Sequence, residues 1–183
     1  MAYRTYHLIL LSGFLLAFSP SKADAVDTEF KVKAGLIFNF VNFTRWPKTA
    51  FKHKTADYVI CIIGQDPYSA IFGLIGSQTI HGRHLKTLKL ADKPTLDALA
   101  LCHILFIRLK NKTKHHALLR SIKNLPVLTI SEIGDKSEKS MINFVNNNNS
   151  IAFVINRTAA KRAGIDFSSK MLRLAQSVTG GQQ

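Results

Sequence analysis

The segment from Glu29 to Pro47 constrains the fold most, because its apolar residues fall on two faces of one helix. At 3.6 residues per turn, Phe30, Ala34, Ile37 and Val41 form one stripe, and Val32, Leu36, Phe40 and Phe43 form a second. Lys31, Asn39 and Asn42 fill the sector between them together with Gly35. Pro47 restricts Trp46 and lacks a backbone donor, so the helix is expected to stop there. One stripe is expected on a sheet of the same domain. The other needs either a further layer of this chain or a partner protein.

The rest of the chain supplies that sheet. Tyr58–Ile63, Cys102–Ile107 and Val127–Ile130 are continuous apolar runs and read as buried strands. Leu85–Leu90 alternates leucine with lysine or threonine and reads as a strand exposed on one face. Helices are expected between them. One starts at the Asp66 cap and Pro67 and runs to about Ser77, and a short one spans Pro94–Leu101. A third is capped by Asn111 or Thr113, with Leu118, Leu119, Ile122 and Leu125 inward and Pro126 at its end. Met141–Val145 and Ile151–Ile155 flank four asparagines, which tolerate positive φ, and predict an antiparallel hairpin. Asn156 caps a short helix over Arg157–Ala163 that Gly164 closes. Ser168 or Ser169 caps a last helix, in which Met171, Leu174, Ala175 and Val178 fall at i, i+3, i+4 and i+7. The expected fold is α/β, a single domain with a mostly parallel sheet, helices on both faces and an antiparallel edge hairpin.

Arg4, an apolar run over Leu8–Phe18 and small residues at Ser21, Ala23 and Ala25 follow the order of a secretory signal peptide. That run has 11 residues, against about 20 needed to span a bilayer. The expected organisation is a cleaved leader at 1–25, an α/β domain at 26–179 and a tail at 180–183. The whole chain carries a formal charge of +14, and loss of Arg4, Lys22 and Asp24 with the leader leaves +13. Such a surface favours anionic partners. Export removes nucleic acid from the field and leaves anionic lipid head groups or an acidic face on a membrane protein. Cys61 and Cys102 lie in or beside apolar strands in a compartment where disulfides persist. They are either bonded to each other or two separately buried thiols.

No catalytic machinery is visible. The chain has no G-x-S-x-G, G-x-G-x-x-G, Walker loop or H-E-x-x-H, and its carboxylates fall in loops or at helix starts. The third strand ends in Ile107-Arg108, not in a carboxylate that could accept a phosphoryl group. Metal is not expected either. His81 and His84 flank the cation Arg83, and His115 and His116 diverge by about 100° on a helix. His103 enters a buried strand as a structural residue, while Arg83, after a Gly in a polar turn, is either a solvated surface residue or a group that meets an anion or a partner carboxylate.

Lys33-Ala34, Asn39-Phe40, Trp46-Pro47, Cys61-Ile-Ile-Gly64, Gly82-Arg83, Cys102–Ile107, Val127–Ser131, Ile142-Asn-Phe144, Phe153–Asn156 and Leu172–Ala175 occur in that order. Together they resemble the YfiR family of exported bacterial proteins, from about Glu29 to Val178. The resemblance implies a periplasmic, homodimeric protein that represses YfiN, an inner-membrane diguanylate cyclase, through the cyclase's periplasmic domain. That would lower cyclic di-GMP and biofilm formation, with no enzymatic activity, cofactor or metal. It marks Asn39, Trp46, Arg83 and Asn156 as partner-binding candidates. The alternative is a periplasmic small-ligand binding module without a cyclase partner. One departure is Glu138-Lys-Ser140, where the family carries glycines before the Met-Ile-Asn-Phe strand.

Overall fold

The computed structural model describes residues 22–66, 68, 71–72, 79–132, 140–147 and 150–180. Helix α1 (Lys22–Phe43) leads into β1 (Thr44–Arg45), a 3-10 turn at Lys48–Ala50 and strand β2 (Tyr58–Gly64). Then come β3 (Thr79–Ile80), β4 (Arg83–Leu90), α2 (Leu96–Ala100), β5 (Ile104–Arg108), α3 (Lys112–Ser121) and β6 (Leu128–Ser131). The chain continues through β7 (Ile142–Asn147), β8 (Ser150–Asn156), α4 (Arg157–Arg162), β9 (Asp166–Phe167), α5 (Ser169–Leu174) and β10 (Ser177–Thr179). Eight strands form one sheet in the order β10-β8-β7-β6-β5-β2-β4-β3, and β1 pairs with β9 beside it.

Alternation along the strands assigns the two faces. Ile60, Ile62, Ile104, Phe106, Leu128, Ile130, Ile142 and Phe144 share a core with Ala34, Ile37, Phe40 and Val41 of α1. Ala160 of α4 and Met171 of α5 join the same core. The odd positions, Cys61, Ile63, Leu105 and Ile107, face Leu99 of α2 and Leu118 and Leu119 of α3. Each central strand is therefore apolar on both sides, as the unbroken runs required. Side-chain caps start the helices: Thr95 accepts from the Ala98 N–H, Asn111 from Lys114, Asn156 from Ala159 and Ser168 from Met171. Cys61 and Cys102 are bonded, with Cα atoms 5.7 Å apart.

The sheet is mixed, and three expectations change with it. β2, β4, β5, β6 and β7 run parallel to one another, whereas β3 opposes β4 and β8 opposes β7. The β7–β8 hairpin is not at the edge, because β10 pairs in parallel with β8 through Ser177↔Val154 and Val178↔Ile155. For the same reason the last helix stops at Leu174. Leu174 is 62% exposed and Val178 37%, so the helical period had little to bury, and an unpaired β8 edge satisfies the Ser-Val-Thr backbone better. The first helix likewise ends at Phe43, short of Trp46. Thr44 turns its hydroxyl onto the Phe40 carbonyl at 2.6 Å, and Thr44↔Phe167 and Arg45↔Asp166 form a short antiparallel ladder.

The expected leader lies outside the described residues except for its last positions, and so do most of the Asp66–Ser77 helix, the tip of the asparagine turn, residues 181–183 and the loop carrying Glu138-Lys139. Of the Asp66 helix, what is described is Asp66 accepting from the Tyr68 N–H at 3.1 Å and Phe72 donating to the Tyr68 carbonyl at 2.8 Å.

Candidate functional site

Three features stand at the surface of this frame. The first is a charged cluster at the carboxyl ends of the parallel strands. The pairing Ile107↔Ser131 puts the next residues, Arg108 and Glu132, side by side. Glu132 accepts from Arg108 Nε at 2.8 Å and from Lys33 Nζ of α1 at 3.1 Å. The Tyr68 hydroxyl also donates to it, and Lys33 pairs with Glu29 one turn back. Burial, and then the Glu132 carboxylate, push the Tyr68 phenol well above its ordinary range. Phe30 meets Tyr68 edge to face at 5.4 Å and lies under the Arg108 guanidinium. Gly64 makes the close strand approach possible, since a Cβ there would lie 2.4 Å from the Arg108 carbonyl oxygen. A carboxylate already holding three donors is no general base. It clamps α1 to β5 and β6.

The second feature gathers around His103. Its Nδ1 accepts from the Val59 N–H at 3.1 Å, so its Nε2 is the protonated nitrogen that donates to the Ala50 carbonyl at 3.1 Å. Burial lowers its pKa, which keeps the ring neutral. Phe51 stacks on the ring at 4.5 Å, and Trp46 donates from Nε1 to the His103 carbonyl at 3.3 Å. Arg83 enters from a tight hairpin in which His81 and Gly82 both have positive φ, at 51° and 74°. Its guanidinium lies 3.9 Å from the Phe51 centroid and donates to the carbonyls of Ala56 and His53. A groove of about 450 Å³ runs past this loop, between Lys52, Asp57, Lys86, Leu88, Leu101 and His103.

The third feature is the outer face of α1. Phe40 turns inward against Phe144 and Phe153, with centroids at 5.7 and 4.7 Å. It lies about 60° nearer the first stripe than Phe43 does, so the second stripe splits. Val32 is 46% exposed, Leu36 and Phe43 are half-buried, and Asn39 is exposed among them. A Cβ on Gly35 would meet no atom within 4 Å. Lys170 reaches over the Phe43 ring at 5.1 Å.

A protein-family model described as YfiR/HmsC-like matches residues 30–176. The chain belongs to the YfiR/HmsC-like family. Members of that family are regulators rather than enzymes. Among the described residues no group of three or more His, Cys, Asp or Glu is placed to hold a metal, and no helix is long and apolar enough to cross a membrane.

Within this YfiR/HmsC-like chain the four motif-matched residues do not form one site. Trp46 and Arg83 come together on Phe51 and Tyr58. Asn39 sits alone on the outer face of α1, and Asn156 spends its side chain on the α4 cap, accepting from the Ala159 N–H at 3.0 Å. The Glu132 cluster was not anticipated. Its signal was two opposite charges directly after two apolar runs, Ile107-Arg108 and Ser131-Glu132, which become neighbours only if those strands are adjacent and parallel.

Proposed function

We propose that this chain is an exported regulator that represses an inner-membrane diguanylate cyclase of the YfiN type through the cyclase's periplasmic domain, lowering cyclic di-GMP and biofilm formation. Residues 1–25 serve as the leader, and the domain spanning 26–179 acts in the periplasm. The observation that carries this reading is the family match across residues 30–176.

The strip of Val32, Leu36, Asn39 and Phe43 is the docking surface, shared between a second copy in a homodimer and the cyclase. An apolar strip on a helix that already packs its other face on the sheet is a fitting contact for a partner. Basic residues at its margins, Lys31 and Lys170, would steer it towards an acidic face or an anionic membrane. Trp46 and Arg83 hold the adjoining loop, and Asn156 holds the start of α4, so their part in partner binding is indirect. The Cys61–Cys102 bond suits an oxidising compartment. Photocrosslinking from position 32 or 39 in intact host cells tests the docking surface. Capture of a membrane diguanylate cyclase, absent when the crosslinker stands at Lys86 on the far strand, is the expected result. Equal capture from both positions, or capture of none, contradicts it.

A further inference from the structure

Strand β4 combines an open edge with a groove on the sheet face away from α1. β2 pairs with β4 from Tyr58↔Leu85 to Ile63↔Leu90, while β3 reaches β4 only at His84 and Arg83. Among the described residues, therefore, no strand lies along the outer side of Leu85–Leu90. The register puts Lys86 and Leu88 on the same face as Val59 and Cys61, and Leu85, Thr87 and Lys89 on the α1 face. Lysines on an edge strand are an ordinary guard against pairing with further chains, which accounts for Lys86 and Lys89. It does not account for the groove of about 450 Å³ beside them, where Leu88 is 38% and Leu101 49% exposed.

An occupant that pairs with the β4 backbone and lays alternate side chains on Leu88 and Leu101 would cover edge and groove together. Its charge follows from the lysines. β4 carries no carboxylate between Arg83 and Leu90. Lys52 and Lys86 line the groove against Asp57, which Lys86 engages at 2.7 Å. Lys89 is exposed and makes no ion pair among the described residues. A second copy paired edge to edge would bring its own Lys86 and Lys89 to the same seam, on a chain of formal charge +14, and like charge disfavours that pairing. We propose that the outer edge of β4 receives an acidic, extended segment of another protein as an added strand, with apolar side chains in the groove and a carboxylate facing Lys89 on the opposite face. This surface is independent of the cyclase reading, which places its contact on α1.

Amide spectra and hydrogen exchange of the full mature chain test the proposal, with three end-blocked heptapeptides titrated at constant ionic strength. One alternates glutamate with valine, the second alternates lysine with valine, and the third keeps the glutamates but has proline for each valine, so that it cannot join a ladder. The glutamate–valine peptide is expected to give saturable shifts over Leu85–Leu90 and Leu101, and to slow those β4 amides that exchange rapidly in the free chain. The other two should each bind at least tenfold more weakly. Lys89→Glu should weaken the glutamate–valine peptide at least fivefold without changing the melting temperature, whereas Lys123→Glu, the same charge change at another exposed position, should leave binding unchanged. Shifts that do not saturate, equal binding of either control peptide, or equal losses in the two variants would overturn the assignment. So would slow exchange of every amide from Leu85 to Leu90 in the free chain, because the edge would then be covered already by this chain or a second copy.

Discussion

Glu132 shows how much one side chain can hold. Its carboxylate is 12% exposed and neutralises Lys33 and Arg108, themselves 11% and 21% exposed. Replacing it with alanine leaves Arg108 without its carboxylate, Lys33 with Glu29 alone, and a buried phenol without its acceptor. Glu132→Ala is expected to lower stability by about 3 kcal/mol, the scale of a broken buried ion pair, measured by urea unfolding. His115 is a second test at this scale. It is fully buried, meets Ser140 Oγ at 3.4 Å, and burial followed by the neighbouring His116 lowers its pKa to about 4. The unfolded chain takes up a proton near pH 6.5 while the folded chain resists it, so folding loses stability as pH falls from about 6.5 to 4. Native His115 should show that slope, and His115→Gln should flatten it. A variant with the same slope would assign the acid sensitivity to other groups.

Among the elements, α1 and the strand that carries Cys61 set the frame. The disulfide closes a loop with a sequence separation of 41, worth about 4 kcal/mol on the chain-entropy model. Cys61→Ser with Cys102→Ser should shift the urea midpoint accordingly, and reductant should do the same to the native chain and nothing further to the variant. The burial of Ala34, Ile37 and Val41 was readable from the helical period, and the buried strands were readable from their apolar runs, because local pattern decides both. Ser177–Thr179 was not readable. Its Val178 completes a helical spacing with Met171, Leu174 and Ala175, and only the open edge of β8, formed elsewhere in the chain, turns the segment into a strand. The Glu132 cluster was hidden for a similar reason, since the register between β5 and β6 creates it. Val32 on α1 is exposed and makes little contribution to the core. Val32→Glu should therefore leave the melting temperature within about 2 °C of native, as surface substitutions do, while removing partner capture from that face.

At the scale of the whole molecule, a formal charge of +14, a Cys61–Cys102 bond and the half-exposed apolar strip of α1 are the features that the proposed docking would use. At one end of the sheet β10 pairs with Val154–Asn156 of β8, and at the other β3 covers β4 at Arg83 and His84, while the docking proposed for the cyclase uses side chains on α1 and not a sheet edge. The measurement that tests the account most directly is the cellular level of cyclic di-GMP after deletion of this gene in its own host. The level should rise. The exported native chain should restore it, and neither the leaderless chain nor exported Val32→Glu should do so. An unchanged level in the deletion strain, under conditions where the protein is made, would contradict the repressor reading. Full restoration by Val32→Glu would contradict the role of the α1 face.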